Sequence, residues 1–292
     1  MKNDFERVRE AVREGYARIA RADASAVAEP TSCCGTRGGC CDAAPDANSL
    51  AASIGYNSNE IAKLPAGANM GLSCGNPTAI AALANGEVVL DLGSGGGMDV
   101  FLAGPKVGPA GRVIGVDMTP EMLSKARKNT AAYRQRTGLE NVEFRLGEIE
   151  HLPVADASID VVISNCVLNL SPDKPQVWRE IARVLKPGGR VAISDLTLLK
   201  PLPATVVEKV EALVGCVAGA ALVPDTERSM REAGLVEIVL RLKPEYIAAI
   251  TSSGDPLYHE IVGLLPASST PADYITSLDI CARKPAATRC CP

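Results

Sequence analysis

The sequence predicts a doubly wound α/β fold: a parallel sheet with helices on both faces, an N-terminal helix and loop ahead of it, and a helical C-terminal cap behind it. Three observations carry that expectation. Short apolar runs alternate with segments of helical period, a glycine-rich turn follows the first run, and a carboxylate ends the second.

The elements follow in order. Residues 3 to 21 space Phe5, Val8, Val12, Tyr16 and Ile19 three or four apart among charges, which predicts an amphipathic helix packed across the main domain as a lid or brace. From Ala22 to about Ser53 the composition turns to Ala, Gly, Ser, Asp and Cys without apolar period, so a mobile loop is expected. A polar hinge is expected at Ala66-Gly67-Ala68-Asn69. The apolar runs Val88–Leu92, Val113–Val116, Val142–Phe144, Ile159–Ser164 and Val191–Ser194 read as strands, with helices near 98 to 105, 120 to 136 and 174 to 185. Pro187-Gly188-Gly189 predicts a turn into the fifth strand, and Leu235–Leu240 with Tyr274–Ala282 a closing, hairpin-like pair. Residues 201 to 232 read as helical and 243 to 272 as irregular, together a cap near the carboxyl edge of the sheet. The expected organisation is 1–53 as helix and Cys-rich loop, 54–200 as nucleotide-binding domain, 201–283 as cap with closing strands, and 284–292 as a Cys-containing tail.

With 47% apolar residues, 292 residues can bury one substantial core. Thirty basic against 34 acidic residues and 3% aromatics supply neither the positive field nor the stacking surfaces that nucleic acids need. The first twenty residues are charged throughout, and no later stretch is an uninterrupted apolar span, so neither a signal peptide nor a membrane helix is expected. A cytoplasmic location follows as the expectation. Ten cysteines in such a chain point away from a static disulfide framework and toward metal, metalloid or redox work.

The run Val88-Val89-Leu90-Asp91-Leu92-Gly93-Ser94-Gly95-Gly96-Gly97 is a buried strand entering a turn whose glycines let a ligand approach the backbone. Asp117, 26 residues after Asp91, is placed to accept hydrogen bonds from ribose hydroxyls. A bound nucleoside is implied. The glycines depart from the G-x-G-x-x-G of dinucleotide sites, which places a dehydrogenase behind a methyltransferase.

The succession DLGSGGG, GVDMTPEML, Gly147-Glu148-Ile149 and LKPGG resembles the motifs of class I methyltransferases that bind S-adenosylmethionine, a Rossmann-like family. That resemblance implies a methionine site at Asp91, Gly93, Ser94, Gly95 and Gly97. It further implies a ribose site at Asp117, adenine contacts at Met118, Gly147, Glu148 and Ile149, and a substrate-side wall at Asn165.

The cysteines select the acceptor. Cys74 lies in a glycine-bounded loop before the first strand, Cys166 directly after the fourth at the edge where such sheets bind ligands, and Cys216 in the helical segment after the fifth. Each alone is a small buried hydrophobe as readily as a ligand. Three thiolates together suit a soft centre such as As(III). The stretches GLSCGNP, RVIGVDMTPEML, VEFRLGEIEHLPV, VISNCVLNLSPDK and GCVAGA resemble the arsenite S-adenosylmethionine methyltransferases, over about residues 54 to 222. The resemblance implies methyl transfer to trivalent arsenic with Cys74, Cys166 and Cys216 as its ligands. It also implies a fourth, N-terminal redox cysteine, for which Cys40 and Cys41 are the nearest candidates, and a thiol reductant (glutathione or thioredoxin) as co-substrate.

The vicinal pairs Cys33-Cys34, Cys40-Cys41 and Cys290-Cys291 do not have structural zinc spacing, and capture of As(III) by them is an expectation. Two rivals stand beside this reading. One is a carbon or oxygen methyltransferase whose cysteines only pack; the other is a metalloid-sequestering protein with a vestigial nucleotide fold.

Overall fold

The computed structural model describes residues 2–21, 47–207, 217, 219–247, 262–266 and 268–287. One seven-stranded sheet organises them: β1 (Val88–Leu92), β2 (Arg112–Asp117), β3 (Val142–Leu146), β4 (Ile159–Asn165), β5 (Leu185–Leu198), β6 (Val236–Lys243) and β7 (Ile275–Arg283). Their order is β3-β2-β1-β4-β5-β7-β6. The first five run parallel, and β7 lies antiparallel between β5 and β6. The chain therefore winds outward from β1 to β3 and then returns to the other side of β1 with β4. At that reversal the loops leaving β1 and β4 part, and a cleft opens at their carboxyl ends.

Apolar runs became central strands because both sheet faces are covered: Val89, Leu90 and Leu92 of β1 and Ile159 through Ile163 of β4 are almost wholly buried, apart from Asp160. The covering helices are α1 (Lys2–Arg21), α2 (Ala47–Ser53), α3 (Ser58–Ile61), α4 (Pro77–Ile80), α5 (Met98–Val107), α6 (Pro120–Thr137), α7 (Lys174–Val184) and α8 (Val223–Glu232). Asp173 caps α7 by accepting from the Gln176 amide, and Pro175 occupies its first turn, which starts the helix sharply. The amphipathic face of α7 then buries Val177, Trp178, Ile181 and Val184 against the sheet. Trp178 is 1% exposed, so Trp178→Ala is expected to cost about 3–5 kcal/mol in urea unfolding. A loss below about 1 kcal/mol would contradict this packing role.

Four expectations need correction. The loop expected from Ala22 to Ser53 is helical from Ala47 onward, where Ala51 is buried and the Asn69 side chain donates to Ala47 O and Asn48 Oδ1 at 2.9 Å; residues 22 to 46 lie outside the described residues. The segment expected as a polar hinge at residues 66 to 69 is not polar throughout: it forms a turn with Gly67 at φ +72°, and Ala68 is 2% exposed in the cleft wall. Strand β5 is longer than expected, because Pro187-Gly188-Gly189 bulges within it: Leu185 pairs with Ile159 and Arg190 with Val161. The cap expected at 201 to 232 is helical only in part, with coil before α8; residues 208 to 216 and 218 lie outside the described residues. Among the described residues, no helix is long and apolar enough to cross a membrane.

Candidate active site

A cleft lies over the carboxyl ends of β1, β2 and β4. The turn after β1 forms its floor. Gly93 and Ser94 donate their amides to Val116 O at 2.8 and 2.9 Å, and the Gly95 amide donates to Asp117 Oδ2 at 2.9 Å. Gly93 has φ +67°, and a Cβ there would overlap the Val167 side chain in the loop after β4. Only glycine meets both demands. Among the described residues, the buried Ser94 hydroxyl has no hydrogen-bond partner.

Asp91, Gly93, Ser94, Gly95, Asp117, Met118, Gly147, Ile149 and Asn165 all line this cleft, as does Cys166. Two expected residues do not. Gly97 starts α5 at φ +92°, where a Cβ would come 2.7 Å from Phe101 and 2.8 Å from Phe144. Glu148 faces α1, its carboxylate 3.6 Å from Arg9 Nε and 3.4 Å from Arg13 Nη2. Ion pairing to the lid takes this carboxylate off the wall, and Glu150, bonded at 2.6 Å by the Ser171 hydroxyl, stands on it instead. Helix α1 is thus the brace that was expected, adding Arg9, Val12 and Tyr16 to the cleft and pairing Arg21 with Glu121 of α6.

Three buried carboxylates set the electrostatics. Burial, then the charges of Asp99 and Asp117, pushes the Asp91 carboxyl well above the usual carboxylate range. Burial pushes Asp99 up to about 6 against hydrogen bonds from Tyr56 and Asn165, and raises Asp117 against amides that favour its charge. A cation bound beside these three carboxyls would relieve that penalty by favouring their charged forms.

Cys74 and Cys166, both buried, come together beside this cleft, which Cys166 lines. They form a disulfide, Cα to Cα 6.0 Å. The β1/β4 reversal folds the Cys74 loop onto the end of β4, and a joined pair there is compatible with the redox work expected of the cysteines. Cys33, Cys34, Cys40, Cys41, Cys216, Cys290 and Cys291 lie outside the described residues. A carboxylate oxygen of buried Asp195 and the two sulfurs lie within 4.8 Å of one another. Cys166 has φ +54°, which costs a side-chain-bearing residue about 1–3 kcal/mol. The loop is held against that strain: the Cys166 amide donates to Ser194 O at 2.9 Å, and Asp195 accepts from the Leu168 amide at 2.9 Å and from Asn169 Nδ2 at 2.8 Å.

Asp99, Asp195, Tyr56 and Arg9 were not singled out from sequence. Asp195 had a readable signal, as a carboxylate at the end of the buried run Val191–Leu196, and Asp99 another, in the first helical turn after the glycines. Tyr56 and Arg9 had none.

A model of the methyltransferase domain family matches residues 83–241. The arsenite methyltransferase of Halobacterium salinarum is 47% identical over 290 residues, covering 97% of this chain and 68% of its own length. The chain belongs to the arsenite methyltransferase family. The arsenite methyltransferase of Aquipseudomonas alcaligenes is 44% identical over 176 residues, and the matched region spans half of that protein. An arsenic(III) S-adenosylmethionine methyltransferase structure from Chlamydomonas reinhardtii aligns with TM-score 0.57 at 35% identity, over 83% of this chain and 74% of that one. The arsenite methyltransferase fold therefore supports the class I motif reading of the cleft. The glycine cradle, the Ser94 hydroxyl and the carboxyl-lined wall fit S-adenosylmethionine, whose α-ammonium and sulfonium groups are cationic and whose α-carboxylate can accept from a hydroxyl.

Proposed function

We propose that this chain methylates trivalent arsenic with S-adenosylmethionine as donor. The observation that carries the reading is the meeting of Cys74 and Cys166, distant in sequence, beside a cleft whose carboxylates favour a cation. Asp91 and the turn from Gly93 to Gly95 would hold the amino acid part, Asp117 the ribose, and Met118 with Ile149 the adenine. When bound, the donor supplies a methyl carbon activated by its sulfonium.

The sulfurs of Cys74 and Cys166, with Cys216 as the third by family resemblance, hold As(III) as a pyramid whose lone pair stays free. No general base is needed, since the nucleophile carries no proton. The task of these residues is alignment, which supplies several kcal/mol when the reacting atoms are held at roughly 3–3.5 Å. Arsenic rises formally from trivalent to pentavalent on methylation. The two cysteine sulfurs then leave arsenic together: two arsenic–sulfur bonds break, one sulfur–sulfur bond forms, and the electron pair left on arsenic restores the trivalent state. Cys74 and Cys166 joined together are then the spent form, and a cytoplasmic thiol reductant, glutathione or thioredoxin, must reopen them before arsenic binds again.

Incubating reduced protein with arsenite, S-adenosylmethionine and thiol, then separating arsenic species by chromatography, tests the reading. Methylated arsenic is expected. Its absence from protein that still binds S-adenosylmethionine would leave only a methyltransferase of another acceptor, and absence of donor binding would favour sequestration.

Donor affinity has a predicted pH dependence. A bound cation favours ionised carboxylates, so calorimetric affinity should fall as pH drops through about 6, where Asp99 takes up its proton. For the unliganded protein the sign reverses. Because the folded value lies above the ordinary 3.8, the Asp99 contribution to stability is full below 3.8 and is lost as pH rises through about 6. Affinity that is flat across this interval would remove the carboxylate argument.

A further inference from the structure

Tyr56 is 4% exposed and belongs neither to the glycine cradle nor to the cysteine set. Its hydroxyl donates to Asp99 Oδ1 at 2.8 Å and accepts from Asn165 Nδ2 at 2.8 Å. The same amide nitrogen donates to Gly75 O at 2.9 Å, and Asn165 Oδ1 accepts from the Cys74 amide at 3.0 Å. A continuous chain of hydrogen bonds therefore runs from a carboxylate on the cleft wall to the backbone of Cys74.

Donor and acceptor inventory gives this chain a direction. An ionised carboxylate only accepts, so the Tyr56 proton must point at Asp99. Its oxygen is left to accept, which turns the Asn165 amide nitrogen toward Tyr56 and Gly75 and its oxygen toward the Cys74 amide. The Cys74 carbonyl is fixed separately by the Ser277 hydroxyl at 2.9 Å, and a Cβ on Gly75 would come 2.5 Å from Ser194. The loop carrying this sulfur has little other freedom.

We propose that Tyr56 is a positioning residue that couples the donor cleft to the arsenic site by fixing the Asn165 amide, and through it the Cys74 backbone, whenever a cation occupies the cleft beside Asp99. The inference rests on the arsenic reading. A cation there holds Asp99 in its acceptor-only form, which locks the order of donors along the chain. Two ligands that share one ordered network bind better together than apart, and the advantage is reciprocal.

The test compares arsenite dissociation constants of phosphine-reduced protein with and without saturating sinefungin, which carries an amine in place of the sulfonium and transfers no methyl group. Wild-type protein is expected to bind arsenite about fivefold or more tightly with sinefungin present. In Tyr56→Phe the ratio should fall by about half or more while each ligand still binds alone, the longer direct bond from Asn165 Nδ2 to Asp99 Oδ2 at 3.4 Å carrying what remains. A purely structural tyrosine would lower the thermal midpoint and leave the ratio intact, which overturns the proposal. Asp99→Asn supplies a second variant, since an amide there can donate to Tyr56 and unlock the order; a preserved ratio in it also overturns the coupling. Arsenite binding with equal ratios in all three proteins defeats the coupling alone, whereas no arsenite binding by reduced wild type defeats the arsenic reading and the coupling with it.

Discussion

Cys166→Ser is expected to lower arsenite methylation by more than about a hundredfold under reducing conditions, with S-adenosylmethionine affinity unchanged within about twofold. Loss of a group that merely orients a metal ligand already costs roughly 10–100-fold, and a sulfur that holds arsenic itself should cost more. Serine keeps the size of the side chain and can occupy the same backbone conformation, but its hard oxygen is a poor ligand for a soft centre. Donor affinity should survive because the Cys166 loop is held by Ser194 O and Asp195 through backbone and Asn169 contacts that the sulfur does not make. Paired rate measurements and calorimetry decide the matter. An unimpaired rate would reduce Cys166 to packing and revive a carbon or oxygen acceptor.

Gly93→Ala is expected to damage both halves of the site. The residue has φ +67°, where a Cβ costs about 1–2 kcal/mol, and the added carbon would overlap Val167, next to Cys166. Donor affinity should fall about tenfold and methylation further, because the floor of one ligand and the loop of the other move together. Adding Val167→Ala removes the overlap and should recover part of the loss in a double-mutant cycle. If Gly93→Ala bound the donor normally, close approach of the two loops would not be what the glycine provides.

The sheet was legible because its central strands are buried on both faces and so appear as apolar runs, as in Val88–Leu92 and Ile159–Ser164. The closing antiparallel pair was equally readable. The fifth strand was read at Val191–Ser194, but its start at Leu185 was not, since the Lys-Pro-Gly-Gly insert has the composition of a turn while its flanks keep pairing with β4. Helix α2 was hidden in an Ala- and Ser-rich stretch, where only the contact of Asn69 with Ala47 and Asn48 distinguishes helix from loop. In the site, the glycine turn and Asp117 are local motifs and could be read directly. The pairing of Glu148 with α1, the Asp195 support under Cys166 and the bridge made by Tyr56 join residues 26 to 139 positions apart. No periodicity records partners at that distance.

The bond between Cys74 and Cys166 encloses β1 through β4, which is the nucleoside half of the sheet, in a single covalent ring. Opening that ring frees the unfolded chain to explore more shapes and leaves the native contacts almost unaltered. In the proposed cycle the joined form would be the sturdier one, and each reopening would move the molecule into a more perishable form just as it became ready for the next arsenic. Heat or a protease should accordingly find the primed protein more vulnerable than the resting one.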